Sequence, residues 1–109
     1  MEMNMSGQGE LNHMMQQLIN GLEMEMKHQS VRSIGEKKVS LMVFEAFFLR
    51  VSGWVSLTVM ICETKTDELD VTLVGSGGGG GFLNGTLGVH KAIIKDAVKL
   101  LTTLGFNLI

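Results

Sequence analysis

The chain has 109 residues, the length of one ordinary domain. Hydrophobic residues make up 45% and charged residues 18%, a balance that supports a packed core and excludes disorder by composition. A net charge of -2 argues against a duplex-binding protein, and the lone Cys62 excludes an internal disulfide framework or a paired-cysteine zinc or redox site.

Met1 is followed by no basic-then-apolar leader, so the chain reads as a cytoplasmic product. With no proline, there is no cis-proline turn and no polyproline ligand. A membrane span is excluded on length. The longest charge-free run between Val39 and Cys62 is Val51 to Cys62, 12 residues, where a spanning helix needs about 20.

In chain order, residues 1–9 are polar and glycine-broken and read as a disordered terminus, with a single α+β domain over 10–109. From Glu10 to His28 the apolar spacing is helical: Leu11, Met15, Leu18, Leu22 and Met26 form a stripe that Met14 and Ile19 widen. Glu10 at the start and Lys27 and His28 at the end suit the helix dipole. Gly21 inside the pattern costs about 1 kcal/mol against alanine. Gln29 to Lys38 is polar, with room for a short edge strand over Val31 to Ile34.

Three strands are expected next. The first, Val39 to Arg50, is apolar on both faces, so either both are covered or a bulge near Glu45 switches them. A turn at Ser52-Gly53 leads to the second, Trp54 to Thr64, where Val55, Leu57, Val59 and Ile61 alternate with more polar positions. A loop at Lys65-Thr66-Asp67-Glu68 precedes the third, Leu69 to Ser76. The last helix is expected from an N-cap at Thr86 to Leu104, with Val89, Ile93, Ala97, Leu100 and Leu104 inward, Lys91, Lys95 and Lys99 outward, and a Schellman ending on Gly105 and Phe106. The expected fold is therefore an α+β two-layer sandwich in α-β-β-β-α order: an antiparallel meander of three to four strands with both helices on one face. The far face would present Trp54, Met60 and Cys62. That is more apolar surface than a monomer leaves wet, which points to a homodimer.

Glycines crowd the segment from Gly75 to Gly88. Gly75, Gly77 and Gly80 satisfy a G-x-G-x-x-G spacing, but consecutive glycines do so by accident, and no Walker lysine follows Gly81. The plain reading is a flexible connection. The functional reading is an anion site, because the start of the last helix lacks acids and carries His90 and Lys91. Its contributors would be Gly77, Gly78, Gly79, Gly80, Gly81, Asn84, Thr86, His90 and Lys91. His13, His28 and His90 show no ligand spacing, and Cys62 lacks a neighbouring cation that would activate it. No catalytic residue, metal or cofactor is expected. Glu45 is either an inward carboxylate with a raised pKa or a solvent-facing one.

The early helix, the apolar meander and the segment GSGGGGGFLNGTLGVHKAIIKDAVKLLTTLGF together resemble a family of small uncharacterised bacterial proteins with a glycine-rich segment before a C-terminal helix. The resemblance spans Leu11 to Phe106 and implies a bacterial cytoplasmic domain of unknown function, with no catalytic residues to carry over. The first functional reading is a non-enzymatic module that binds a ligand or partner as a homodimer, with neither nucleic acid nor membrane as partner. The alternative is phosphate or nucleotide binding at the glycine segment, as part of an enzyme. A third is a purely structural subunit docked through its sheet.

Overall fold

The computed structural model describes residues 1–48, 53–77 and 83–109, with residues 83–90 as backbone alone. Its elements are β1 (Glu2–Gln8), α1 (Leu11–Gly21), β2 (Glu25–Ile34), β3 (Lys37–Phe48), β4 (Gly53–Lys65), β5 (Glu68–Gly77), α2 (Leu83–Thr103) and β6 (Asn107–Leu108). The strands form one six-stranded sheet in the order β2-β3-β4-β5-β1-β6, and every adjacent pair is antiparallel. This overturns the expected three- to four-strand α-β-β-β-α arrangement. Two segments not expected as full strands account for the difference.

The first is the N-terminus. Met1, Met3 and Met5 alternate with polar residues, and β1 pairs with β5 from Glu2 opposite Val74 to Gln8 opposite Glu68. Met5 is fully buried. The second is the end of the expected helix. α1 stops at Gly21, and Leu22, Met24 and Met26 continue at period two into β2. A stripe at Leu18, Leu22 and Met26 fits either period. The strand prevails because a helix running to His28 would leave β3 without the neighbour that β2 supplies over nine paired positions. Lys27 and His28 therefore belong to an edge strand and do not serve the helix dipole. Glu10 serves as N-cap, its side chain accepting from the His13 amide at 2.7 Å.

The hairpins follow local chemistry. Gly35 (φ 63°) turns β2 into β3, and Asp67 (φ 58°) turns β4 into β5. At the end of α2 the Gly105 amide donates to the Thr102 carbonyl and the Phe106 amide to the Leu101 carbonyl, the two bonds of a Schellman motif, with Gly105 at φ 96°. The helix itself starts at Leu83, so Thr86 lies within it and is not its N-cap.

Both helices cover the same face of the sheet. Leu11, Met14, Met15 and Leu18 of α1 and Ile93, Ile94, Ala97 and Leu101 of α2 bury against Met42, Phe44, Val55, Leu57, Val59, Ile61, Val71 and Leu73. Two glycines allow close approach on this side. A Cβ on Gly7 would stand 2.7 to 2.9 Å from three atoms of the buried Phe106 ring, and one on Gly21 would meet the end of Leu100 at 2.6 Å. The ring is held by the Schellman turn, whereas a leucine tip can rotate. Gly7→Ala should therefore cost about 1–3 kcal/mol. Gly21→Ala should be near neutral, helix propensity offsetting a small shift. Urea titration of the two variants checks the order.

Candidate functional site: the open face of the sheet

Opposite the helices, none of the described elements covers the sheet. The register of β3 on β4 is continuous, setting Val39 against Cys62, Leu41 against Met60, Val43 against Thr58, Glu45 against Ser56 and Phe47 against Trp54. All of these belong to the uncovered face, since their neighbours Met42, Phe44, Leu57 and Val59 are in the core. No bulge interrupts β3, so its faces do not switch and Glu45 lies on the uncovered side. The register shifts in β2, between Met26 and His28, and in β4, between Glu63 and Lys65.

The apolar residues here are large and wet. Trp54 is 53% exposed, Phe47 50%, and Leu41 and Met60 each 38%. Phe47 and Trp54 meet edge to face, ring centres 5.6 Å apart. The Lys27 ammonium stands 6.0 Å from the Trp54 ring centre and 3.2 Å from a Glu25 carboxylate oxygen. Further along the strands, His28, Ser30, Arg32, Ile34, Val39, Leu41 and Met60 line a shallow depression of about 350 Å³. Toward β5 and β1 the face becomes polar: Thr72 Oγ1 donates to Asn4 Oδ1 at 2.8 Å, and the Ser56 and Ser76 hydroxyls lie 2.8 Å apart. The face thus has a border on β2 where Lys27, His28 and Arg32 outnumber Glu25, a centre on β3 and β4 that is apolar apart from Glu45, Ser56 and Thr58, and a hydroxyl-rich border carrying Asp70 on β5.

The expected interface residues Trp54, Met60 and Cys62 do share this face. Lys27, His28 and Arg32 were not among the expected site residues: Lys27 and His28 read as the end of a helix, and Arg32 as part of a short edge strand over Val31 to Ile34 with no face assigned. The alternation of Met24 and Met26, followed by His28, Ser30 and Arg32 at period two, was the signal available. Cys62 is paired across the ladder with Asp70. Burial, and secondarily the Asp70 charge, raises its thiol pKa. The thiol therefore stays protonated at neutral pH, and Cys62 should react with iodoacetamide at pH 8 several-fold more slowly in the native chain than in urea.

The expected anion site is only partly within view. Gly78, Gly79, Gly80 and Gly81 lie outside the described residues, and Asn84, Thr86 and His90 are placed on α2 as backbone only. Lys91 is exposed on that helix. Gly77 has a structural reason to be glycine: its φ is 89°, and a Cβ would stand 2.9 Å from the Trp54 carbonyl oxygen. On the helical side, Gly21, Leu22, Glu23, Asp96, Lys99, Leu100 and Thr103 line an open depression of about 420 Å³. Among the described residues no three His, Cys, Asp or Glu side chains gather as metal ligands. No helix there is long and apolar enough to cross a membrane.

No curated protein and no solved structure matches the chain. A family model does, over residues 1–105, a span that takes in β1 as well as the two helices. The chain belongs to DUF6054, a family of unknown function.

Proposed function

We propose that this protein is a non-enzymatic partner-binding module of the cytoplasm that acts as a homodimer, closed through the open face of β2 to β5. The observation that carries this reading is the joint exposure of Phe47, Trp54, Leu41 and Met60 on one flat side. Isolated apolar side chains on a surface are ordinary, but this face carries two apolar rows, Leu41 with Met60 and Phe47 with Trp54, separated by the Val43–Thr58 and Glu45–Ser56 rows and set inside a polar border, a mix of core and rim such as interfaces have. The size is adequate. Four strands about 4.8 Å apart and about nine residues long at about 3.3 Å each present roughly 19 by 30 Å, on the order of 600 Å² before side-chain relief. Two copies then bury about 1,200 Å² between them, the lower end of the standard range of about 1,200–2,000 Å².

A second copy fits this face better than a dissimilar partner does, because the face carries its own complement, a basic excess on β2 and the carboxylate of Asp70 on β5. Packed face to face, two copies form a sandwich with helices outside and sheets about 10 Å apart. Sedimentation velocity of the native chain tests the reading: it predicts a species of twice the 11.9 kDa chain mass, and a monomer at tens of micromolar refutes it.

A second reading is a small anion held at the start of α2. In its favour is the absence of any acid in that helix's first turn. Thermal stabilisation by phosphate, lost in Lys91→Ala, is its expected signature, and no shift with phosphate or nucleotides removes it.

A further inference from the structure

The direction in which the two copies meet is written in the rows of the sheet. We infer that the dimer's two-fold axis runs along the strands, between β3 and β4, so that Arg32 of each copy pairs with Asp70 of the other. This rests on the homodimer reading above and adds a geometry to it.

The register places Arg32, Val39, Cys62 and Asp70 side by side in one row across β2, β3, β4 and β5. The next row on the same face is Ser30, Leu41, Met60 and Thr72. A two-fold axis along the strands keeps each row in place and exchanges β2 with β5 and β3 with β4. Arg32 then lies over Asp70 of the second copy, Leu41 over its Met60, and Phe47 over its Trp54. In these rows apolar side chains meet apolar ones and Arg32 meets Asp70, while in the row of Glu25, Glu45, Ser56 and Ser76 the carboxylates meet serine hydroxyls. Two such pairs form by symmetry.

The competing axis, across the strands, lays β2 on β2. There Glu25 is the one carboxylate beside Lys27, His28 and Arg32, and it is already paired with Lys27, so the two β2 borders meet with an excess of basic charge while Asp70 is left against the other copy's β5, an arrangement disfavoured at an interface. The state of the charges in one chain agrees with the first axis. Among the described residues the ion pair is Lys27 with Glu25, within β2. Among the described residues neither Arg32 nor Asp70 has an ion-pair partner, and they stand on β2 and β5 with β3 and β4 between them. The apolar strip between them is what a second sheet would cover.

Charge reversal in the full chain tests the pairing by sedimentation equilibrium. Arg32→Asp alone and Asp70→Arg alone should each weaken the dimer about tenfold or more, since each creates two like-charge contacts per dimer. The double variant should return to within about threefold of the native constant. A double variant as weak as the sum of the singles overturns the pairing. If all three leave the dimer unchanged while Trp54→Glu separates it, the axis is wrong and the open-face interface stands. A native chain that stays monomeric overturns both. Should a reversal fail to fold, Arg32→Gln and Asp70→Asn complete the cycle: each is expected to weaken the dimer about threefold, with no further loss when combined. Additive losses in that cycle would also overturn the pairing.

Discussion

Replacing Phe44 by alanine should lower the unfolding free energy by about 3–5 kcal/mol, the usual cost of emptying a fully buried aromatic site. Phe44 is wholly inaccessible in β3, flanked across the ladder by Met26 of β2 and Leu57 of β4. Neighbours anchored in backbone ladders cannot collapse far into the space it leaves. The loss is a large share of the roughly 5–15 kcal/mol that a domain has in hand. Urea unfolding reads it as a lower midpoint at unchanged slope. A loss under about 1 kcal/mol would mean that the helices do not cover this side of the sheet.

Trp54→Glu should have the opposite profile, little cost to the fold and a large cost to association. The side chain is half exposed, and among the described residues its ring meets Phe47 edge to face and the Lys27 ammonium 6.0 Å from its centre. Losing both contacts costs about 1–2 kcal/mol. In the dimer the same residue faces an aromatic neighbour from the second copy, and a charge there would be desolvated without a partner. Interface aromatics are worth about 2 kcal/mol or more each, and symmetry counts the change twice. About 4 kcal/mol corresponds to roughly a thousandfold in the dissociation constant. Sedimentation equilibrium measures the shift, and circular dichroism confirms that the monomer remains folded.

The parts of the fold that were legible in the sequence are those whose signal is local. The runs Val39 to Arg50, whose last two residues lie outside the described part, Trp54 to Thr64 and Leu69 to Ser76 alternate or stay apolar long enough to read as strands, and turn residues such as Asp67 separate them. Gly105 and Phe106 announced the helix ending that the two Schellman bonds supply. What escaped reading depends on distant partners. β1 offers only Met3 and Met5 against polar neighbours, and its strand character comes from β5, nearly seventy residues further on. Gly7 looks like a breaker until Phe106 is seen lying on it. β2 shares its first apolar residues with a helical stripe, and only the need of β3 for a neighbour decides between the periods.

The site divides in the same way. Trp54, Met60 and Cys62 were found because β4 is read correctly and its outward face follows from alternation. The β2 contribution, Lys27, His28 and Arg32, was lost with the misread strand. Without it the face looks merely greasy, and its charge complementarity is invisible. Glu45 could not be oriented from sequence, because both faces of its strand are apolar. The unbroken ladder to β4 assigns it to the outer side.

Trp54 is the lone tryptophan of the chain and stands at the centre of the claim that a second sheet covers this face. Its fluorescence, followed with light scattering while the native protein is diluted from high to low micromolar concentration and below, reports on that claim directly. A shielded, blue-shifted emission that moves to the red in step with the halving of mass is the expected result. Emission that is red and constant at every concentration, or a dimer that dissociates without any change in it, would contradict the account.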